Sequence, residues 1–130
     1  MSDTQTITAV TFRVTGQPLP KQRARVFEDA RGKRRAVTPD RTKDWEQWIG
    51  WYAVYEMHQR GLSPLAGDVR LTCEFERHGR QRVDLDNLIK ALSDSLNGIV
   101  WQDDAQVVAI AARVVYGVAE PGVSVTVEKV

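Results

Sequence analysis

Two short acidic segments of the chain contain the side chains best suited to chemistry. The first segment holds Asp84, Asp86 and Lys90, and the second holds Asp103 and Asp104. Carboxylate oxygens are the ligands that hard cations such as Mg²⁺ and Mn²⁺ take in proteins, and a nearby ammonium group offsets negative charge on a phosphate. A metal site built from these aspartates would suit phosphodiester hydrolysis.

The pattern of apolar residues around the first segment predicts the end of a strand followed by a helix. Asp84 and Asp86 are two residues apart, so in an extended backbone both side chains lie on one face. From Leu85 onward the apolar residues fall at helical spacing, and Gly98 is placed to end the helix. On that helix Asp86 and Lys90 are four residues apart and share an exposed side.

The second segment precedes a run, residues 107–116, that is almost entirely apolar or small. Such a run is typical of a buried central strand. If it pairs with the strand that leads to Asp84, then Asp103 or Asp104 at its start reaches the same cluster, because neighbouring strands lie about 5 Å apart. The sequence therefore suggests that the acidic residues converge.

Each of these residues also has a purely structural interpretation. Asp86 is a good candidate for a helix N-cap, and Asp84 can be a solvated residue at a strand edge. Lys90 can form an ion pair with Asp86 or Asp94 along the helix surface, worth about 0.3–0.5 kcal/mol. Asp103 and Asp104 can simply form a turn, because aspartate bonds readily to nearby backbone groups. Spacing alone leaves both interpretations open.

The two acidic segments and the residues between them resemble the RusA family of Holliday junction resolvases. The similar residues are Asp-Leu-Asp-Asn-Leu-Ile-Lys-Ala-Leu-Ser-Asp-Ser-Leu-Asn-Gly from residue 84 and Trp-Gln-Asp-Asp-Ala-Gln-Val from residue 101. The resemblance implies that Asp84, Asp86 and Asp104 are catalytic and hold the metal. It also implies a catalytic Lys90, and it leaves Asp103 as an auxiliary or structural neighbour.

The same resemblance implies the activity, the cofactor and the partners. It indicates a homodimeric endodeoxyribonuclease that uses Mg²⁺, with Mn²⁺ as a substitute, and resolves four-way or branched DNA by paired nicks on opposed strands in recombination and repair. It places the protein in the cytoplasm of a bacterial or phage-infected cell. Val83 stands where many relatives have proline, and residues 16–25 resemble the corresponding segment of only some relatives.

Charge is unevenly distributed along the chain. Residues 1–43 contain ten Lys or Arg and four acids, a net charge of +6, whereas residues 44–130 contain eight and thirteen, a net charge of −5. Clustered acids repel DNA unless a metal and flanking cations attract the phosphates. We therefore expect DNA contacts from the basic residues Lys21, Arg23, Arg25, Lys33, Arg34, Arg35, Arg77, Arg80 and Arg82.

Two other classes of function are compatible with these residues. One is a protein that binds branched DNA without cleaving it, and the other is a metal-dependent phosphoesterase acting on small molecules. The intact aspartates argue against the first class, and the basic residues next to the acids favour a polymeric substrate over the second.

Length and composition predict one α+β domain, residues 1–130, with a mixed sheet and two main helices. Strands are expected at 7–14, 69–75, 107–116 and 123–129, with the last two forming an antiparallel pair, and a short basic hairpin at 25–37. No apolar run is long enough for a transmembrane helix, and the polar start lacks the layout of a signal peptide. The single Cys73 excludes an internal disulfide framework and a cysteine-based zinc site, and is expected to be a packing residue.

A first helix is expected from Thr38, as N-cap, to a stop at Gly61. Within it an aromatic and apolar stripe falls at helical spacing, which is typical of a core or of a dimer interface. Trp51 falls off the stripe and is expected to be exposed or interfacial. The stripe consists of Trp45, Trp48, Ile49, Tyr52 and Tyr55.

Overall fold

The computed structural model describes residues 9–21, 25–28, 30–37 and 40–130, without the side chains of 25–28, 34–37 and 40. The predicted α+β class, with a mixed sheet and two helices, is confirmed. The elements in chain order are β1 (Ala9–Thr15), β2 (Arg25–Glu28), β3 (Arg34–Val37), α1 (Asp40–Gln59), β4 (Val69–Arg77), α2 (Leu85–Leu96), a 3₁₀ helix (Asp104–Gln106), β5 (Val107–Tyr116) and β6 (Gly122–Lys129).

Four strands form one sheet in the order β1-β6-β4-β5. Strand β6 pairs antiparallel with both β1 and β4, and β5 pairs parallel with β4. Two predictions are therefore wrong: β5 and β6 do not pair with each other, and β5 is an edge strand rather than a central one. The reason is that β6 crosses β4 and lies between β4 and β1, so β5 keeps β4 as a neighbour on one side only.

Alternate residues of β4 build the core on one face of the sheet. Val69, Leu71, Cys73, Phe75 and Arg77 are buried, whereas the residues between them are partly or fully exposed, as expected for a sheet covered on one side only. Burial raises the pKa of the Cys73 thiol to about 12, so the thiol stays protonated and packs as an apolar group, as predicted.

Helices α1 and α2 pack against each other. The buried face of α2 consists of Leu88, Ala91, Leu92, Ser95 and Leu96, which recur at the helical period and supply an apolar stripe that faces the core.

The aromatic stripe of α1 is divided between the core and the surface. Trp45 and Ile49 are buried as predicted, but Trp48 and Tyr55 are exposed, and the core is continued by Ala53 and Met57 instead. These four buried residues are spaced by four along the chain, so the helix presents a narrow face to the core. Trp51 is exposed, in agreement with the sequence analysis.

The predicted basic hairpin is present as a separate two-stranded sheet in which β2 and β3 pair antiparallel. Gly61 follows α1 with a positive φ of 64° and ends the helix as expected. The proposed start of that helix at Thr38 and Pro39 lies outside the described residues. No helix in the described part of the chain is long and apolar enough to cross a membrane.

The unit β4-α2-β5 determines where the two acidic segments lie. Because β4 and β5 are parallel, with Val69 opposite Val107 and Arg77 opposite Tyr116, the chain must return from the end of β4 to the start of β5. Helix α2 lies within that return. The first acidic segment therefore lies at the end of β4, and the second lies at the start of β5.

Candidate active site

Asp84 is the N-cap of α2. Its backbone is extended (φ −80°, ψ 116°), and its Oδ1 accepts a hydrogen bond of 3.0 Å from the backbone N–H of Asp86. The sequence analysis favoured Asp86 as the cap and a strand leading directly to Asp84. Both details are wrong, because β4 already ends at Arg77 and the helix begins one residue after Asp84.

The capping geometry brings two carboxylates together on the surface. Asp84 and Asp86 are both exposed, and they occupy the N-cap and the first turn of the same helix. The partial positive charge of a helix N-terminus stabilises negative charge there. Within the described residues, the second oxygen of Asp84 and both oxygens of Asp86 accept no hydrogen bond, so three oxygens at this end of α2 are available to a ligand.

Lys90 lies on α2 one turn beyond Asp86, as predicted, and of the two acids expected as its ion-pair partner its ammonium group contacts Asp94. Its Nζ donates a hydrogen bond of 3.0 Å to Oδ1 of Asp94. The other oxygen of Asp94 lies 3.3 Å from Nζ of Lys21, which is also 2.7 Å from Glu46. Asp94 is thus shared by two ammonium groups, and Lys90 remains exposed next to the acidic pair.

The second acidic segment is a short turn held by side chains. Asp103 caps the 3₁₀ helix, and together with Gln106 it forms a reciprocal capping box. Oδ1 of Asp104 accepts a hydrogen bond of 2.9 Å from the indole N–H of Trp101, which is fully buried. Asp103 therefore has a structural role in this turn, and Asp104 is fixed in orientation while its second oxygen stays open.

Gln106 is a residue whose importance the sequence analysis missed. Its Oε1 accepts hydrogen bonds from the backbone N–H groups of Gln102 and Asp103, and its Nε2 donates to the carbonyl oxygens of Leu65 and Gly67. The signal was present in the sequence, because an acidic cap followed three residues later by glutamine is the spacing of a capping box.

The two acidic segments do not meet within one chain. Asp84 caps the N-terminus of α2, whereas Asn97 at its C-terminus bridges to Trp101, which bonds Asp104. The twelve residues of α2 span about 18 Å at 1.5 Å per residue. In the described part of the chain no three His, Cys, Asp or Glu side chains are grouped closely enough to hold a metal ion.

The predicted convergence is therefore wrong for a single chain, and the parallel pairing explains why. The predicted neighbour relation is correct, since β5 does pair with β4. However, a parallel neighbour starts where β4 starts, and Asp84 follows the end of β4. An antiparallel neighbour would have started beside Asp84 instead.

The donor set nevertheless suits a hard cation. Mg²⁺ in enzymes is commonly held by one or two carboxylates, with water and substrate phosphate oxygens at the other positions. Asp84 and Asp86 supply such a pair at the N-terminal end of α2. Asp104, in the 3₁₀ helix that follows the C-terminal end of α2, supplies a third carboxylate.

Two predicted DNA-binding residues lie exposed beside the acidic pair. The guanidinium of Arg82 lies over the ring of Tyr116, 4.7 Å from its centroid. The guanidinium of Arg80 packs over Gly117, where an added Cβ would come within 3.3 Å of it. Both cations are therefore held near the end of β5, and Tyr116 also accepts a hydrogen bond from the backbone N–H of Val83, next to Asp84.

Arg77 differs from these two neighbours, because it is the last residue of β4 and points into the core face. Only 8% of it is exposed, so it does not lie on the surface with Arg80 and Arg82. Burial lowers the pKa of Arg77, with a smaller opposing effect from Tyr116.

The remaining predicted DNA contacts are in the first third of the chain. Lys21 is held between Glu46 and Asp94, and the pKa of its ammonium group is raised, mainly by the hydrogen bond to Glu46. Lys33 is exposed next to the hairpin strand β3. Arg23 and the side chains of Arg25, Arg34 and Arg35 lie outside the described residues.

Comparison with known proteins identifies the family to which this chain belongs. The comparison with curated proteins gives no match. The model of the family described as endodeoxyribonuclease RusA matches residues 15–128. This range contains both acidic segments, α1, α2, β4, β5 and all of β6 but its last residue, and of β1 it contains only Thr15. With 15–128 matched out of 130 residues, the chain belongs to the RusA family of endodeoxyribonucleases.

Proposed function

We propose that the protein is a Mg²⁺-dependent nuclease that resolves four-way DNA junctions by paired nicks on opposed strands, in recombination and repair. The observation that carries this proposal is the exposed pair Asp84 and Asp86 at the N-terminus of α2, with Arg80 and Arg82 exposed beside it. Acids that hold a cation, next to cations that hold phosphates, form the arrangement that phosphodiester hydrolysis requires.

Each residue has a defined task in this proposal. Asp84 and Asp86 hold Mg²⁺, which when bound supplies Lewis acidity toward a phosphoryl oxygen. Arg80 and Arg82 bind backbone phosphates on either side of the cut, which positions the strand without reading its sequence. Lys90 needs only a rotation of its long side chain away from Asp94 to face the phosphate, where its charge offsets negative charge that develops on the leaving oxygen.

We further propose that the site is completed by a second copy of the chain. Strand β5 is an edge strand of apolar and small residues apart from Arg113, and Val108 and Ile110 on it are exposed. An exposed edge of this kind favours pairing with another strand. Two copies related by a two-fold axis would pair their β5 strands antiparallel, because a two-fold axis reverses the direction of the strand.

This pairing would also bring the acids together. Antiparallel pairing sets the start of β5, which follows Asp104, against the end of β5 in the second copy, where Tyr116 contacts Val83 beside Asp84. Each dimer would then contain two equivalent sites, with Asp84 and Asp86 from one copy and Asp104 from the other. Two sites related by a two-fold axis suit two nicks in a junction that has the same pseudo-symmetry.

Cleavage of a synthetic four-way junction tests the activity. We expect paired nicks on opposed strands in Mg²⁺, and none in EDTA or with Asp86→Asn. A linear duplex and a fork serve as substrate controls. Asp103→Asn is the matched protein control, since asparagine can replace the capping oxygen of Asp103 and should leave cleavage unchanged. Tight junction binding without cleavage in Mg²⁺ or Mn²⁺ would contradict the nuclease and indicate a non-cleaving binder. Cleavage of only small phosphoesters would also contradict the proposal.

Mixing two inactive variants tests the shared site. In a dimer formed from Asp86→Asn and Asp104→Asn chains, one site would carry both changes and the other would be intact. We expect single nicks to return after subunit exchange, at about a quarter of the wild-type nicking rate, since half of the dimers would each have one working site. If each chain holds its own complete site, the mixture will stay as inactive as either variant alone.

A further inference from the structure

A small cavity is lined by Val83, the residue before the acidic pair, and does not include Arg80 or Arg82 in its lining. Its volume is about 180 Å³, below the roughly 300–1,000 Å³ typical of pockets for drug-sized ligands. It therefore suits one small group rather than a nucleotide. It is lined by Leu19, Pro20, Arg41, Thr42, Arg77, Gln81 and Val83.

The cavity is lined by a buried cation, two of whose nitrogens have no hydrogen-bond partner among the described residues. Nε and one terminal nitrogen of Arg77 are buried and form no hydrogen bond with the described part of the chain. More than nine-tenths of Arg77 is buried, and its side chain lines the cavity. A buried charge whose donors are unmatched is costly unless an anion or hydrogen-bond acceptors complete it.

The other polar groups around the cavity also favour the binding of an anion. Arg41 adds a second guanidinium, and Thr42 and Gln81 add hydrogen-bond donors. Arg41 and Thr42 belong to the first turn of the twenty-residue helix α1, whose first N–H groups and partial positive charge attract anions. None of the lining residues in the described ranges is acidic.

The cavity lies next to the backbone that carries the acidic pair. Val83, which lines the cavity, is the residue before Asp84. On the other side, the backbone N–H of Lys21, which follows Pro20, donates a hydrogen bond of 2.8 Å to the carbonyl oxygen of Asn87 in the first turn of α2. The cavity and the carboxylates of Asp84 and Asp86 therefore share the same short segments of backbone.

We propose that this cavity, with Arg77 and Arg41 as its cations, is a binding pocket for a single phosphate group, and that its ligand is a DNA backbone phosphate next to the one that is cut. The anion pocket rests on the geometry above, and its assignment to DNA rests on the proposed function. In this role Arg77 and Arg41 anchor the strand one or two phosphates from the acidic pair, and Arg80 and Arg82 guide it across the surface.

Titration of the full-length protein with inorganic phosphate tests the pocket without any need for nuclease activity. The ¹H–¹⁵N signal of the Arg77 side-chain Nε–H should shift saturably with phosphate at constant ionic strength. Arg41→Met should weaken this binding at least about tenfold, because it removes a charged hydrogen-bond donor. Lys43→Met is the matched control, since Lys43 is an exposed cation in the same turn of α1 that does not line the cavity.

The test compares Arg41→Met with Lys43→Met. Its outcome therefore does not depend on whether a protein changed at the buried Arg77 can fold. Gln81→Ala, an exposed lining residue, should weaken binding in the same direction as Arg41→Met. The absence of a saturable shift would overturn the pocket, and so would equal effects of Arg41→Met and Lys43→Met.

A second experiment distinguishes a DNA phosphate from free phosphate. Single methylphosphonates, which remove the charge of one phosphate at a time, are placed around the branch point of a junction, and binding is measured in EDTA. One position should weaken binding of the wild type at least about tenfold and have little effect on Arg41→Met, because the partner of that phosphate is already lost. If phosphate binds but no position is coupled to Arg41, the assignment to DNA is wrong. Failure of junction cleavage, by contrast, would leave the phosphate titration unaffected.

Discussion

Asp84 combines two tasks in one side chain. One oxygen caps α2 through the N–H of Asp86, and the other stays open toward solvent. A cap contributes about 1 kcal/mol to stability, and a metal ligand contributes to activity. The two tasks can be separated because asparagine keeps a capping oxygen but loses the negative charge.

We therefore expect two substitutions of Asp84 to differ in their effect on stability while both abolish activity. Asp84→Asn should leave the free energy of unfolding within about 0.5 kcal/mol of wild type and abolish junction cleavage, whereas Asp84→Ala should lower it by about 1 kcal/mol and abolish cleavage as well. Urea unfolding and the cleavage assay measure the two effects. Full cleavage by a stable Asp84→Asn protein would show that Asp84 is only a cap.

Neighbouring basic residues also have different roles, which their sequence did not distinguish. Arg77, Arg80 and Arg82 belong to one basic cluster in the sequence. Arg77 is the last residue of β4 on its buried side, and the other two follow in an exposed loop. The alternation of β4 therefore buries Arg77, and the end of the strand at that residue leaves Arg80 and Arg82 in the surface loop.

At the level of the elements, Lys21 connects the segment after β1 to both helices. Its ammonium group contacts Glu46 on α1 and Asp94 on α2, and its backbone N–H bonds to Asn87. The start of α2, and thus the acidic pair, is held against α1 by this residue. Its pKa is raised in the folded state, first through the hydrogen bond to Glu46.

The direction of that shift predicts how stability depends on pH. Because the pKa of Lys21 is raised in the folded state, the stabilisation that its charge provides is complete below the unfolded-state pKa of 10.5. That stabilisation is lost as pH rises through the folded-state pKa. Lys21→Met should lower the free energy of unfolding by about 1 kcal/mol at pH 8, and the difference from wild type should shrink above pH 10.5. Urea unfolding across this pH range measures the difference in free energy of unfolding between the variant and wild type. Lys129→Met, at the exposed end of β6, serves as control, and a difference that grows with pH would contradict the assignment.

At the level of the whole molecule, the exposed large apolar side chains of the described residues lie on two surfaces, apart from Val130 at the end of the chain. One is the edge strand β5, with Val108 and Ile110, and the other is the outer face of α1, with Trp51, Val54 and Tyr55. Only the β5 surface, paired across a two-fold axis, would also unite the two acidic segments. That difference is why the proposed dimer uses β5.

Two matched substitutions distinguish the two surfaces. Val108 is 54% exposed and Val54 is 52% exposed, so Val108→Asp and Val54→Asp introduce the same charge at similar exposure. Val108→Asp should weaken dimerisation at least about tenfold and abolish cleavage, because a charge buried in an interface without a partner is strongly unfavourable. Val54→Asp should leave the dimer intact. Analytical ultracentrifugation gives the dissociation constants, and the reverse pattern would move the interface to α1.

The sequence by itself determined the elements and the chemistry of the candidate residues. The apolar period of α2, its stop near Gly98, the hairpin at 25–37 and the exposed Trp51 are confirmed, because they depend on local spacing and backbone preference. The tertiary structure decided the partners of each strand, the edge position of β5 and the division of the α1 aromatics. It also placed the two acidic segments at opposite ends of α2 and buried Arg77 beside a cavity. These features depend on which distant segments pair and in which direction, and a short stretch of sequence has the same local pattern in a parallel or an antiparallel arrangement.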